Sequence, residues 1–420
     1  MNKMTLRDVN CKGHRVLMRV DFNVPVKEGQ VKDDTRITSA LPSIQQVLDQ
    51  GGSLVLLSHL GRPKGKGFEN EFSLRPVAAR FEKLLGRPVK FGSDCIGAET
   101  LTMAQSLHPG EVMLVENTRF YNEEEGKVKM PDTATEEEKK SAKADMKMRQ
   151  KQFSEKLAQL GDGEIFVNDA FGSAHRAHGS TAGVCSHYKK NVAGLLLEKE
   201  IDYLSRALAR PERPFLAILG GAKVSDKVNV ITHLLTKVDA LIVGGAMAYT
   251  FYRAMGLPTG KSLVEEDKAG LARDILAKAK TAGVKLLLPV DHVIADKFDS
   301  AAATEIVGES GIKDGWMALD IGPKTAELFC TVIRASKTIV WNGPMGCFEM
   351  KPFASGTTAV AQAIADTKCL SIIGGGDSVS AVNKSGLASR MTHISTGGGA
   401  SLEFLEGKTL PGVAALTDKP

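Results

Sequence analysis

The chain has 420 residues, and at roughly 100–200 residues per domain two domains are the first expectation. It is 43% hydrophobic and 25% charged, an ordinary globular balance that excludes a disordered or fibrous protein. The formal net charge of +5 is too small for a nucleic-acid footprint, although small polyanions stay eligible as ligands.

No apolar run approaches the ~20 residues of a membrane span, so no membrane partner is expected. The start, MNKMTLRDVN, lacks an apolar signal core, and the end, LTDKP, carries no anchor or address. A cytoplasmic location is therefore expected. With no coiled-coil repeat or long apolar stripe, a monomer is expected too.

In chain order, the first half offers five strand-like runs: RVLMRVDFNV (15–24), SLVLLSHL (53–60), RPVKF (87–91), EVMLVEN (111–117) and EIFVNDA (164–170). The second half offers FLAILG (215–220), ALIVGG (240–245), KLLLPVD (285–291), TIVWNG (338–343) and LSIIGGG (370–376). These runs are continuous rather than alternating, as strands buried on both faces should be. Helical segments lie between them, among them TSALPSIQQVLDQ, RPVAARFEKLLG, NVITHLLTK and AGLARDILAKAKTAG. Strand and helix in alternation predict an α/β fold: two doubly wound parallel-sheet domains, with a cleft between them. The stretch LLLEKEIDYLSRALAR ends at Pro211 and reads as an interdomain helix rather than a floppy linker. The charged stretch 122–156 reads as a solvated surface insertion, a loop followed by a helix.

Ligands of open parallel sheets bind beyond the carboxyl ends of the strands. In the first half those ends carry Asp21 and Asn23, then His59 and Arg62, then Arg119, then Asn168 and Asp169 leading to His175 and Arg176; Arg36 lies a short loop after the first group. Guanidinium forks match carboxylate and phosphate, so this rim predicts an anion pocket. The second-half ends are glycine turns: Gly220-Gly221-Ala222-Lys223, Gly244-Gly245-Ala246, Asn342-Gly343-Pro344 and Gly374-Gly375-Gly376-Asp377-Ser378, with a further run at Gly397-Gly398-Gly399. Such turns bring backbone N–H groups at helix starts up to phosphates, Lys223 and Lys227 add positive charge, and Asp377 suits Mg²⁺ on a nucleotide.

Other motifs fall away. GLPTGKS (256–262) is one residue short of a phosphate-binding P-loop and follows a helical stretch. No G-x-G-x-x-G follows the first strand, and no G-x-S-x-G elbow exists for a serine hydrolase. Cysteines 11, 95, 185, 330, 347 and 369 are scattered without a C-x-x-C pair, and the His175/His178 pair in HRAH lacks a third metal ligand nearby.

Eight strings stand in one order along the chain: VDFNVP (20–25), SHLGRP (58–63), ENTRF (116–120), VNDAFGSAHRAH (167–178), GGAKVSDK (220–227), WNGPMGCFE (341–349), IGGGDS (373–378) and STGGGASLEFLEGK (395–408). Together they resemble the phosphoglycerate kinase family over nearly the whole chain. The resemblance implies a glycolytic kinase that moves a phosphoryl group reversibly between 1,3-bisphosphoglycerate and ADP, giving 3-phosphoglycerate and ATP, with Mg²⁺. It implies that a domain of residues 1–188 holds the phosphoglycerate through Asp21, Asn23, Arg36, His59, Arg62, Arg119 and Arg176. Residues 189–208 would form the hinge helix. A domain of residues 209–404 would hold ATP or ADP through Gly221, Ala222, Lys223, Lys227, Gly245, Ala318, Asn342, Pro344, Glu349, Gly376, Asp377 and Ser378, and the tail 405–420 would return to the first domain. Arg36 and Lys223 are the candidates for catalysis. In WMALD, Ala318 stands where the family usually has glycine beside the adenine.

Overall fold

The computed structural model describes residues 2–420, which fall into two compact units. One runs up to Ile201 and includes Thr409–Pro420; the other is Asp202–Lys408, so the division falls inside the helix Leu195–Ala209.

The first unit is built on a six-stranded parallel sheet. Its strands lie in the order Val89–Gly92, Val112–Val115, Ser53–Leu57, Arg15–Arg19, Ile165–Asn168, Lys190–Ala193. Side chains alternate across a strand, and here both faces are covered. Val16, Met18, Leu54 and Leu56 join one apolar core, whereas Leu17, Val55 and Leu57 join a second. Helices Thr35–Asp49 and Arg75–Leu85 supply Ile37, Ile44, Val77 and Phe81 to the first core. Helix Glu136–Ala158 supplies Phe153 and Leu157 to the second. Local sequence sets such helix ends: Pro76 occupies the first turn of Arg75–Leu85. Gly86 stops the helix with φ at 70°, its N–H donating to the Glu82 carbonyl.

The second unit has its own six-stranded parallel sheet, ordered Lys285–Leu287, Ala240–Val243, Phe215–Leu219, Thr338–Asn342, Leu370–Gly374, His393–Ile394. In chain order this reads third, second, first, fourth, fifth, sixth. The direction of strand addition therefore reverses between Phe215–Leu219 and Thr338–Asn342, where Leu219 and Asn342 are paired at the carboxyl ends. A crevice at such a reversal is where open α/β sheets take ligands. In the first unit the reversal falls between Arg15–Arg19 and Ile165–Asn168.

Three features depart from the sequence reading. The run 285–291 is not one strand: Lys285–Leu287 ends before Pro289, and Asp291 opens a strand of a separate antiparallel sheet, Asp291–Ala295 between Thr304–Gly308 and Met317–Ile321. A proline inside a ladder removes a donor, so the chain breaks there. The edge strand Lys190–Ala193 also went unread, being four residues long and opening on the polar pair Lys190 and Asn191. Lastly, the stretch 122–156 is not wholly a solvated insertion, for Glu124, Met146 and Phe153 are buried.

Candidate active site

Strand ends of the first unit bring four of the expected residues, Asp21, Asn23, Arg36 and Arg119, into one hydrogen-bonded set. Arg36 donates from one terminal nitrogen to the Asn23 carbonyl at 2.9 Å and to Asp21 Oδ1 at 3.3 Å. Asn23 Oδ1 in turn accepts the Gly61 N–H at 2.9 Å, so the loop after the first strand is tied to the loop after the second. Arg119 donates to the Gly61 carbonyl at 2.8 Å and lies 3.4 Å from Glu125. His59 is buried, its Nδ1 3.0 Å from an Arg19 nitrogen. Burial, reinforced by Arg19, Arg119, His178 and Arg36, holds the imidazole well below its ordinary pKa, so it sits neutral among cations. Arg62 and Arg176 are exposed, Arg62 directly after Gly61 and Arg176 in the turn that follows Phe171–Ser173.

Beneath this rim lies a buried network that sequence reasoning missed. Arg19 is fully buried and donates from Nε to Ser180 Oγ at 2.7 Å; Glu124, also fully buried, stands 4.0 Å from the guanidinium. Glu124 accepts the Ser180 N–H at 2.9 Å and the Ser180 hydroxyl at 2.5 Å. His178 Nδ1 lies 3.9 Å from Glu124, and burial pushes its pKa down to about 4 despite that carboxylate. A signal for Arg19 was present: a charge inside a continuous apolar strand must be paired. Glu124 gave none, because nothing in the acidic run NEEEG sets it apart from the carboxylates on either side.

In the second unit the glycine turns pack backbone against backbone at the strand reversal. Gly220 N–H donates to the Asn342 carbonyl at 3.0 Å, Gly245 N–H to the Met345 carbonyl at 3.1 Å and Met247 N–H to the Gly221 carbonyl at 3.0 Å. Gly245 has φ at 67°, and a Cβ there would stand 2.6 Å from the Gly221 nitrogen, so only glycine fits. Lys227 donates to Asn342 Oδ1, and burial pushes its pKa down to about 8 against the pull of Asp226 and Asp377. The Asn342 amide nitrogen is buried without a hydrogen-bond partner. Ala222 and Lys223 are exposed on the turn above.

Two helix starts adjoin this floor. Helix Gly376–Lys384 follows Gly375 and helix Gly398–Leu405 follows Gly397, and neither start has a side-chain cap. A Cβ on Gly398 would be 3.5 Å from Gly375 Cα, so the two uncapped starts are neighbours. Uncapped amides and the helix dipole together favour an anion. Asp377 is exposed in the first turn, whereas Ser378 is buried and its hydroxyl accepts the Gly343 N–H at 2.6 Å. Pro344 is half-buried and Glu349 exposed on the turn beyond. Ala318 is buried in a small apolar cluster with Tyr249, Tyr252 and Ile294, its N–H given to Ser262 Oγ at 3.0 Å, so it contributes wall rather than a polar contact.

Arginines at the strand ends of one parallel sheet and glycine turns with lysines at those of another are the surroundings an α/β phosphotransferase requires. The family model for phosphoglycerate kinase matches residues 6–408. Curated phosphoglycerate kinases of Chloroherpeton thalassium and Moorella thermoacetica are 55% and 54% identical, each over 100% of both chains. The solved phosphoglycerate kinase of Coxiella burnetii superposes with a TM-score of 0.84 at 39% identity, covering 98% of each chain. That of Pyrococcus horikoshii does so with a TM-score of 0.82 at 32% identity, again over 98% of each. The chain belongs to the phosphoglycerate kinase family and is a kinase of glycolysis that uses ATP or ADP as co-substrate.

Proposed function

We propose that this enzyme transfers a phosphoryl group directly and in line between 3-phosphoglycerate and ATP, reversibly, with closure of the two units. The observation that carries the reading is the contrast in chemistry: arginines meet at one sheet's end, while glycine turns, Lys227 and two uncapped helix starts meet at the other's.

The chemistry follows from charge. In the ATP-consuming direction a carboxylate oxygen of 3-phosphoglycerate attacks the γ-phosphorus, and the bond from that phosphorus to the bridging oxygen breaks, leaving its electrons on ADP. The attacking carboxylate is already ionised at neutral pH, so no general base is needed. Crowded negative charge is the obstacle. Arg62, Arg119, Arg176 and His59 hold the phosphoglycerate, and Asp21 and Asn23 orient Arg36, which faces the transferring group. Lys223 meets the same group from the nucleotide side, Lys227 and the helix starts at Gly376 and Gly398 hold phosphate oxygens, and Pro344, Glu349, Gly245 and Ala318 shape the nucleoside end. Reacting atoms must approach to ~3–3.5 Å, and ligands held on separate units meet only when those units close and exclude water.

Among the described residues no three His, Cys, Asp or Glu side chains converge to hold a metal by themselves. Mg²⁺ takes one or two carboxylates and completes its shell on substrate phosphates. The exposed Asp377 carboxylate at a helix start is the residue to hold it, and Mg²⁺ would supply charge neutralisation on the nucleotide.

A coupled assay with 3-phosphoglycerate and MgATP tests the reading. Formation of 1,3-bisphosphoglycerate supports it; NAD binding in place of ADP in a nucleotide panel would point instead to a two-domain dehydrogenase.

A further inference from the structure

Lys223 sits on a turn fastened at three points, and one of them is a carboxylate with no other evident duty. The turn begins at Gly221, whose carbonyl accepts the Met247 N–H at 3.0 Å, and it ends at Lys227 on Asn342. Between them Glu265 takes Ser225 with both oxygens, accepting the Ser225 N–H at 3.0 Å and the Ser225 hydroxyl at 2.5 Å. Burial raises the Glu265 pKa, but the Ser225 bonds, a bond from the Val224 backbone and the charge of Lys223 outweigh it, so the carboxyl lies below its ordinary value.

Glu265 is itself anchored. Its N–H donates to Thr250 Oγ1 at 3.2 Å, and the next residue, Glu266, pairs with Arg253 at 3.0 Å. Thr250 and Arg253 both belong to the helix Met247–Ala254, the helix whose first residue holds Gly221. One rigid element thus grips the lysine-bearing turn twice, directly at Gly221 and through Glu265 at Val224 and Ser225. The Lys223 side chain itself is exposed.

We infer that Glu265 is a positioning residue for Lys223, fixing the backbone from which the lysine reaches the transferring phosphoryl group. The inference rests on Lys223 acting at that group. A lysine is a point charge on a flexible stem, and its usefulness in the transition state depends on where the stem is rooted. A misplacement on the order of 1 Å costs up to ~10²-fold in rate.

The test is a double-mutant cycle on kcat with the full-length enzyme. Glu265→Gln places an amide N–H against one of the Ser225 donors. It is expected to lower kcat by ~10- to 10²-fold, with KM for ATP moving less than about threefold. Ser225→Ala, which removes only the hydroxyl donor, should move kcat the same way by less. In a Lys223→Ala background, Glu265→Gln should have almost no further effect, because residues acting as one unit are not additive. Should Lys223→Ala alone turn over near the wild-type rate, the role of the lysine falls and this inference with it. Should Lys223→Ala be impaired while Glu265→Gln is silent, or multiplies its loss in the double variant, Glu265 does not act through Lys223 and the inference alone is overturned.

Discussion

The Arg19 guanidinium and the Glu124 carboxylate lie 4.0 Å apart with neither side chain exposed to solvent. Burial pulls the guanidinium down from its ordinary pKa, and Glu124 and Asp21 pull back. Removing one partner of a buried pair strands the other charge, at a cost of about 3–5 kcal/mol. Glu124→Ala should therefore destabilise the protein by about that amount in urea unfolding. It should also weaken 3-phosphoglycerate binding, since Arg19 supports His59. A loss below about 1 kcal/mol would mean that Arg19 is solvated or otherwise paired.

Lys223→Ala should lower kcat by about 10²–10³-fold while nucleotide affinity changes much less. The lysine is exposed, and the role proposed for it lies in the transition state rather than in holding the nucleotide. Steady-state kinetics beside an ADP titration separate the two effects, and near-normal turnover would remove Lys223 from the mechanism.

Two buried histidines make stability fall with acid. Burial depresses His178 and His292 to about 4, below their ordinary 6.5. A depressed folded-state pKa means that the unfolded chain binds protons first as pH falls. The stabilisation is therefore complete above about 6.5 and lost as pH drops toward 4. His292 Nδ1 is 3.2 Å from the Tyr249 hydroxyl, and urea unfolding of His292→Gln reads its effect on stability without a turnover assay. Urea midpoints measured from pH 7 to pH 4.5 should fall more steeply for wild type than for this variant. Parallel curves would mean that His292 keeps its ordinary pKa.

Much of the fold was legible because its strands are buried on both faces and read as continuous apolar runs: Ser53–Leu57 and Phe215–Leu219 are buried at every position. The antiparallel sheet was not legible, since Thr304–Gly308 is almost wholly exposed and carries no apolar run. Of the site, the residues at strand ends could be named because the parallel topology places them there. The supporting shell could not: Ser180, Glu124 and Glu265 act through tertiary hydrogen bonds between segments far apart in sequence. Ser378 shows the reverse limit, for the sequence places it among the residues expected at the nucleotide, while its hydroxyl accepts the Gly343 N–H, a bond the sequence does not announce.

The central claim is that each unit holds one substrate, and paired titrations test it most directly. Binding of 3-phosphoglycerate and of ADP should be measured separately for Arg62→Ala and Lys227→Ala. Arg62→Ala is expected to lose affinity for 3-phosphoglycerate alone and Lys227→Ala for ADP alone. Loss of ADP affinity in Arg62→Ala, with 3-phosphoglycerate binding unchanged, would contradict it.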